Sequence, residues 1–221
     1  MNYAAVCAKI KAMSAHTTNE LLPLNRIYTR IKPFIFEKSL RDYIELLFGL
    51  PEKPGDEQLT GLPSHFLLIW KKQNQLDMVN RKIMNRIVGT QIDLMNILWM
   101  HRLKHYYNIV GERTYGFLVP VHHRLTPAVI KEMADSKDSP SLLGIVTASA
   151  YREVFRDFSY PEQGISREIA REYAKASRAH PNSLATICGF LFEKERELKN
   201  TKIAHMRESY GLPAEAHTEL F

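Results

Sequence analysis

The sequence predicts an all-α protein assembled from a repeated helical unit, and three observations lead there. Apolar residues recur at three- and four-residue steps over most of the chain, the period of a helix with one buried face. No region alternates with period two for long, as a half-buried strand would. Two helical segments, one mid-chain and one near the end, read as copies of each other.

Taken in order, Val6, Ile10 and Met13 form a first helical stripe. Leu40, Ile44, Leu47 and Phe48 form a second, ending near Gly49 and Pro51. Leu50 to Gly61 holds two prolines, two glycines and several charges, the composition of a loop. Phe66 to Trp70 opens a further helix. From Leu76 to Tyr107 the stripe is Val79, Ile83, Ile87, Met95, Trp99, Leu103 and Tyr107, with Gly89 as the place for a bend or a break. Thr126-Pro127 reads as an N-cap and first helical position, and Ser139-Pro140 repeats the signal. Ile165, Ile169, Tyr173 and Ala176 form a stripe with charges opposite. After Pro181-Asn182-Ser183 a last helix runs from Ser183 to Tyr210, closed by Gly211 and Pro213.

The copies are Gly89-Thr90-Gln91-Ile92-Asp93-Leu94-Met95-Asn96, running on to His101 and Tyr106, and Glu193-Lys194-Glu195-Arg196-Glu197-Leu198-Lys199-Asn200, running on to His205 and Tyr210. A shift of 104 residues places Asp93 on Glu197, Asn96 on Asn200, His101 on His205 and Tyr106 on Tyr210. Upstream, Ile83, Met84, Ile87 and Val88 fall on Ile187, Cys188, Leu191 and Phe192. Duplicated helical units build scaffolds, and a scaffold points toward binding and mechanical roles. Asn108 to His123, with two glycines, a proline and the run Phe117-Leu118-Val119, is the expected boundary. It divides the chain into an N-terminal lobe, 1–111, and a C-terminal lobe, 112–221.

Composition narrows the partners. With 221 residues the chain can bury a real core, and 45% hydrophobic and 24% charged residues are ordinary for a globular protein. A net charge of +6 permits an anionic partner without requiring one. Two cysteines, Cys7 and Cys188, fit a reducing cytosol. No apolar run approaches the roughly 20 residues of a spanning helix. Lys9 and Lys11 lie inside the apolar N-terminal stretch, unlike a signal peptide, so membrane association is expected to be peripheral.

Candidate chemistry is sparse. His101 and His105 share a helix face, but Arg102 and Lys104 between them oppose a divalent metal, and a mixed helix surface is the favoured reading. His122-His123 on an extended stretch would point to opposite sides. There is no phosphate-cradling glycine loop and no nucleophile elbow, so neither a catalytic residue nor a cofactor or metal site is assigned. Glu193, Glu195 and Glu197 alternate with Lys194, Arg196 and Lys199 as a solvated face does. Arg26, Arg30, Lys32, Phe34 and Phe36 would suit nucleic acid, but Glu37, Asp42 and Glu45 dilute the patch. Asparagine is a poor helix former, so Asn96 and Asn200 at matching mid-helix positions call for a reason. A buried cross-helix hydrogen bond within each lobe is favoured over a partner contact.

The run Arg86-Ile87-Val88-Gly89-Thr90-Gln91-Ile92-Asp93-Leu94-Met95-Asn96-Ile97-Leu98-Trp99, followed by Arg102-Leu103-Lys104, resembles the acid-x-x-asparagine segment and its trailing R-x-K in the V-type/A-type ATPase central-stalk family. Its members are the C subunits of the archaeal and bacterial enzymes and the d subunits of the eukaryotic ones. Phe192 to Asn200 with Tyr210-Gly211-Leu212-Pro213 is similar to a later segment of the same family. Tyr3-Ala4-Ala5 with Ala8 to Met13 resembles its opening helix, and Leu118-Val119-Pro120 with Leu125 its inter-repeat linker. Leu50 to Gln75 matches nothing nameable. The resemblance implies a funnel-like, non-catalytic subunit on the cytoplasmic face of a membrane. It would be held there by protein partners, between the rotor-stalk subunits and the membrane rotor ring, during H⁺ or Na⁺ transport. Asp93, Asn96, Arg102, Lys104, Glu197 and Asn200 would be its repeat signature, as structural or partner contacts. Family members carry three similar lobes. Two closing helices are visible here, so a third lobe is either absent or hidden before Gly89 in degenerate form. The other readings of the chain are a stand-alone helical adaptor of the same descent and a basic nucleic-acid-binding helical domain.

Overall fold

The computed structural model describes residues 3–15, 22–50, 62–156 and 160–211. Most of the Leu50–Gly61 loop, and Pro213 beyond the last helix, lie outside them. Among the described residues the regular structure is helical throughout. The helices are α1 (Ala4–Ala15), α2 (Leu24–Ile31), α3 (Lys38–Phe48), α4 (Leu62–Lys72), α5 (Met78–Tyr107), α6 (Pro127–Asp135), α7 (Ser139–Thr147), α8 (Pro161–Ala179) and α9 (Leu184–Ser209). Short 3-10 turns lie at Lys32–Phe34, Gln73–Gln75 and Gly111–Phe117. No helix among the described residues is long and apolar enough to cross a membrane.

The repeat extends from residues to whole elements. Moved by 104 residues, α6 falls on α2, α7 on the first part of α3, α8 across α4, and α9 inside α5. The two long helices also meet at equivalent points. The backbone N–H of Leu184, at the start of α9, donates to the side-chain oxygen of its counterpart Asn80 at 2.8 Å. Asn80 in turn donates to the Tyr3 hydroxyl at 2.9 Å, so α1, α5 and α9 share one buried polar joint. One apolar cluster runs through both halves, taking Val6, Ile31, Tyr43, Ile87, Ile97, Leu142, Tyr151, Ile169 and Leu191 among others. Each buried aliphatic side chain of this kind contributes about 1.5–3 kcal/mol.

Local chemistry explains where the helices begin and end. The Asp77 side chain accepts from the backbone N–H groups of Val79 and Asn80 and starts α5. Asn108, at φ 52°, turns the chain back at its end. The helix runs through Gly89 without a break. That glycine answers a packing need, because a Cβ there would come within 2.8 Å of the His123 ring. Thr126 caps α6 through Val129, as its sequence implies. At α7 the cap is Asp138, bonded to the Ser141 N–H at 2.8 Å, so Ser139 and Pro140 are the first two helical residues and Ser139 is not the cap. The α8–α9 hairpin closes tightly at Gly189, where a Cβ would stand 3.2 Å from Tyr173. Helix α2, which buries Ile27, Tyr28 and Ile31, lies in the stretch read from sequence only as basic and aromatic.

Candidate functional site

The acid and the asparagine of the first repeat copy lie three residues apart on α5, hence on one face, and both are fully buried. What they hold is an extended segment rather than another helix. The Asp93 carboxylate accepts the backbone N–H groups of His123 (3.3 Å), Arg124 (2.7 Å) and Leu125 (3.1 Å). It also accepts the Tyr151 hydroxyl at 2.8 Å. Asn96 uses both ends of its amide on a single residue. Its nitrogen donates to the Val119 carbonyl and its oxygen accepts the Val119 N–H, each at 3.0 Å. An asparagine is one of the few side chains able to satisfy a peptide group in this two-way fashion. The segment 118–125 makes no regular ladder of its own, and these two side chains take up the backbone groups of Val119, His123, Arg124 and Leu125.

The surroundings make the clamp rigid. Leu118, Val119, Val121 and Leu125 are buried in the core. Burial and the neighbouring Asp93 charge raise the Tyr151 phenol well above its ordinary range, so it stays a neutral donor. Arg86 pairs with the buried Glu172 of α8 at 2.7 Å, and Arg124 reaches the same carboxylate at 3.7 Å. This pins the linker to α8 as well.

The trailing basic residues have separate tasks. The Lys104 ammonium is buried and donates to the carbonyls of Ala134 (2.8 Å) and Ser136 (2.6 Å). It therefore closes the C-terminal end of α6, where unpaired carbonyls and the helix dipole favour a cation. Burial lowers its pKa from the usual lysine value, against the pull of Asp135 and Asp138. Arg102 pairs with Glu162 at the start of α8. The His101 and His105 rings stack at 5.5 Å, and His101 bonds the Ser139 hydroxyl. Among the described residues no group of side chains is arranged to hold a metal ion. His122 and His123 are both exposed, with one side of the His123 ring resting over Gly89.

The second copy stands differently. Glu197 is exposed and pairs with Lys194 of its own helix at 2.7 Å. Asn200 is exposed, and among the described residues its amide has no partner. Among the described residues the buried bond expected of it is absent. The shifted counterparts of Ile97, Met100 and Leu103, which follow Asn96 on α5 and are buried, are Thr201, Ala204 and Arg207, and these offer little apolar surface to hold a cover. Tyr151, which completes the Asp93 site, has no counterpart in the signature, so the repeat gives no hint of it. The expected partner of Asn96 was a helix, whereas the real one is the linker that the glycines and proline of 108–123 mark as a boundary.

Comparison with known proteins places this architecture. The model of the ATP synthase (C/AC39) subunit family matches residues 65–220. The A-type ATP synthase C subunit of Methanosphaera stadtmanae is 27% identical over 246 residues, covering 98% of this chain and 63% of that protein. The corresponding protein of Methanobrevibacter smithii is 23% identical, covering 93% of this chain and 60% of that protein. For Pyrococcus furiosus the identity is 24%, with 89% and 58% covered. The chain thus spans about three fifths of the length of the curated relatives it matches. No solved structure matches it significantly. With the family model covering well over half of its residues, the chain belongs to the ATP synthase (C/AC39) subunit family.

Proposed function

We propose that this protein is a non-catalytic coupling subunit of a V/A-type rotary ATPase, joining the central rotor stalk to the membrane rotor ring during ATP-driven H⁺ or Na⁺ transport. The observation that carries this reading is the family match over residues 65–220, together with relatives that are themselves C subunits of A-type ATP synthases. The geometry supports it in one respect. A subunit that passes torque must not yield at the joint between its repeated units, and the clamp fixes that joint with charge-assisted hydrogen bonds to the Asp93 carboxylate and buried amide hydrogen bonds from Asn96. In this reading residues 1–111 and 112–221 are two lobes of a funnel-like socket on the cytoplasmic face of the membrane. The socket is held there by protein partners, and no nucleic acid takes part.

Affinity purification of the tagged chain from native membranes tests this directly. Rotor-ring and stalk subunits should be recovered with it. Recovery from the soluble fraction alone, free of those subunits, contradicts the proposal and favours a stand-alone adaptor.

A further inference from the structure

The outward face of α8 carries an order that the core does not require. Its apolar stripe, Ile165, Ile169 and Tyr173, is buried. On the solvent side Arg167, Arg171 and Lys175 follow at four-residue steps and Arg178 comes three residues later, all exposed. At 1.5 Å per residue the row is roughly 16 Å long. The acids of α8 are already engaged. Glu162 pairs with Arg102, Glu168 with Arg171 at 2.7 Å, and the buried Glu172 with Arg86 and Arg124. Among the described residues no acid lies within ion-pair distance of Arg167, Lys175 or Arg178. Like charges at four-residue steps repel, so the row weakens the helix unless a counter-charge meets it. Beside the cations runs a second row at the same step, Ser166, Ala170 and Ala174, the first two half-buried and the third exposed. A row of small side chains flanked by a ridge of long ones is a groove. Such a groove accepts the four-residue ridge of another helix at about −50°, with the axes roughly 8–10 Å apart.

We propose that this face of α8 docks a helix of a partner protein that carries aspartate or glutamate at four-residue steps. Charge and shape select that occupant together. The exposed guanidiniums of Arg167 and Arg178 have the forked geometry that binds a carboxylate through two hydrogen bonds. The Ala170–Ala174 row lets a second helix backbone approach closely enough for its acids to reach them. A bilayer surface is a poorer fit. A helix lying on lipid needs large apolar side chains beside its cations, and α8 exposes none between Pro161 and Ala179. A single-stranded nucleic acid is a poorer fit for a related reason, since its bases stack on exposed aromatic rings and the one aromatic residue of α8, Tyr173, is buried. The docking face stands apart from the coupling role. A rotary-ATPase subunit and a stand-alone adaptor could both carry it.

The probe is a hydrocarbon-stapled helical peptide of about 20 residues, alanine-based with glutamates at four-residue steps, titrated into the full-length chain at low salt. Amide shifts are expected along α8 from Ser166 to Arg178, and they should fade in about 0.5 M NaCl as screening sets in. Arg167→Glu with Lys175→Glu should weaken binding roughly tenfold or more. Ala174→Trp keeps every charge but fills the groove, and it should weaken binding to a similar degree. All three positions are exposed, so the melting temperature should hold in both variants. Shifts absent from α8 overturn the proposal, as does binding that survives Ala174→Trp. Tighter binding of phosphatidylserine vesicles or of a DNA duplex than of the peptide overturns it equally.

Discussion

Helices α5 and α9 began from one pattern, an acid followed three residues later by an asparagine, and they use it in opposite ways. On α5 both residues are sealed in the core, and each satisfies backbone groups of the linker. On α9 both face outward, and the acid spends its charge on a neighbouring lysine. The difference lies in the company they keep. After the first pair, Ile97, Met100 and Leu103 continue α5 with buried apolar surface, and their counterparts Thr201, Ala204 and Arg207 do not supply it. A buried polar pair is strong only within such surface, because low dielectric and excluded water give its hydrogen bonds their strength. The same two residues are therefore a joint in one setting and a surface in the other.

Substitutions in matched pairs can break this contrast. The largest effect is expected at Asp93. Asp93→Ala removes the acceptor of three backbone N–H groups and strands the Leu125 N–H and the Tyr151 hydroxyl in the interior, and should cost about 3–5 kcal/mol in chemical unfolding. Glu197→Ala should stay within about 0.5 kcal/mol of wild type. Comparable losses at the two sites would mean that the copies are equivalent after all. Next, Asn96→Leu leaves the Val119 N–H without its acceptor and the Val119 carbonyl with the Val121 N–H alone, and should cost about 1–3 kcal/mol. Asn200→Leu should be neutral or slightly stabilising, because leucine is the better helix former by about half a kcal/mol.

Lys104→Met removes the cation that closes α6, and a loss of about 1–3 kcal/mol is expected. The loss should be accompanied by faster amide exchange around Ser136. A melting temperature unchanged by this substitution would separate the R-x-K signature from the fold.

The pH dependence gives a smaller effect. Burial, with the charges of His105 and Arg102 beside it, lowers His101 to about 4, below the ordinary value near 6.5. A depressed folded-state value means the neutral ring contributes stability that is fully present above about pH 6.5. That stability is lost as pH falls toward 4. Wild type should thus lose about 1–3 kcal/mol more over that interval than His101→Gln. His205→Gln, on the exposed tail of α9, is the control substitution and should leave the wild-type slope in place.

Much of this is legible in the residues themselves, and the rest is not, for identifiable physical reasons. Helices α5, α8 and α9 announce themselves by long apolar stripes with caps. Helix α2 is short, with its three buried residues Ile27, Tyr28 and Ile31 set among charges, so its period is weak over 8 residues. The repeat itself could be read from matching residues. Whether each copy is covered could not, because cover comes from elements distant in sequence. Asp93 is the clearest case: three of its partners are backbone N–H groups, which leave no mark on residue identity, and the fourth, Tyr151, lies 58 residues away.

The central claim is that the α5 pair locks an otherwise irregular linker. Native-state hydrogen exchange at the amides of Val119, Arg124 and Leu125 tests it most directly. The clamp predicts exchange as slow as in the middle of α5, opening only with global unfolding, and a selective loss of protection at Val119 in Asn96→Leu. Fast exchange at these three amides in the wild-type chain, with α5 still protected, would contradict it.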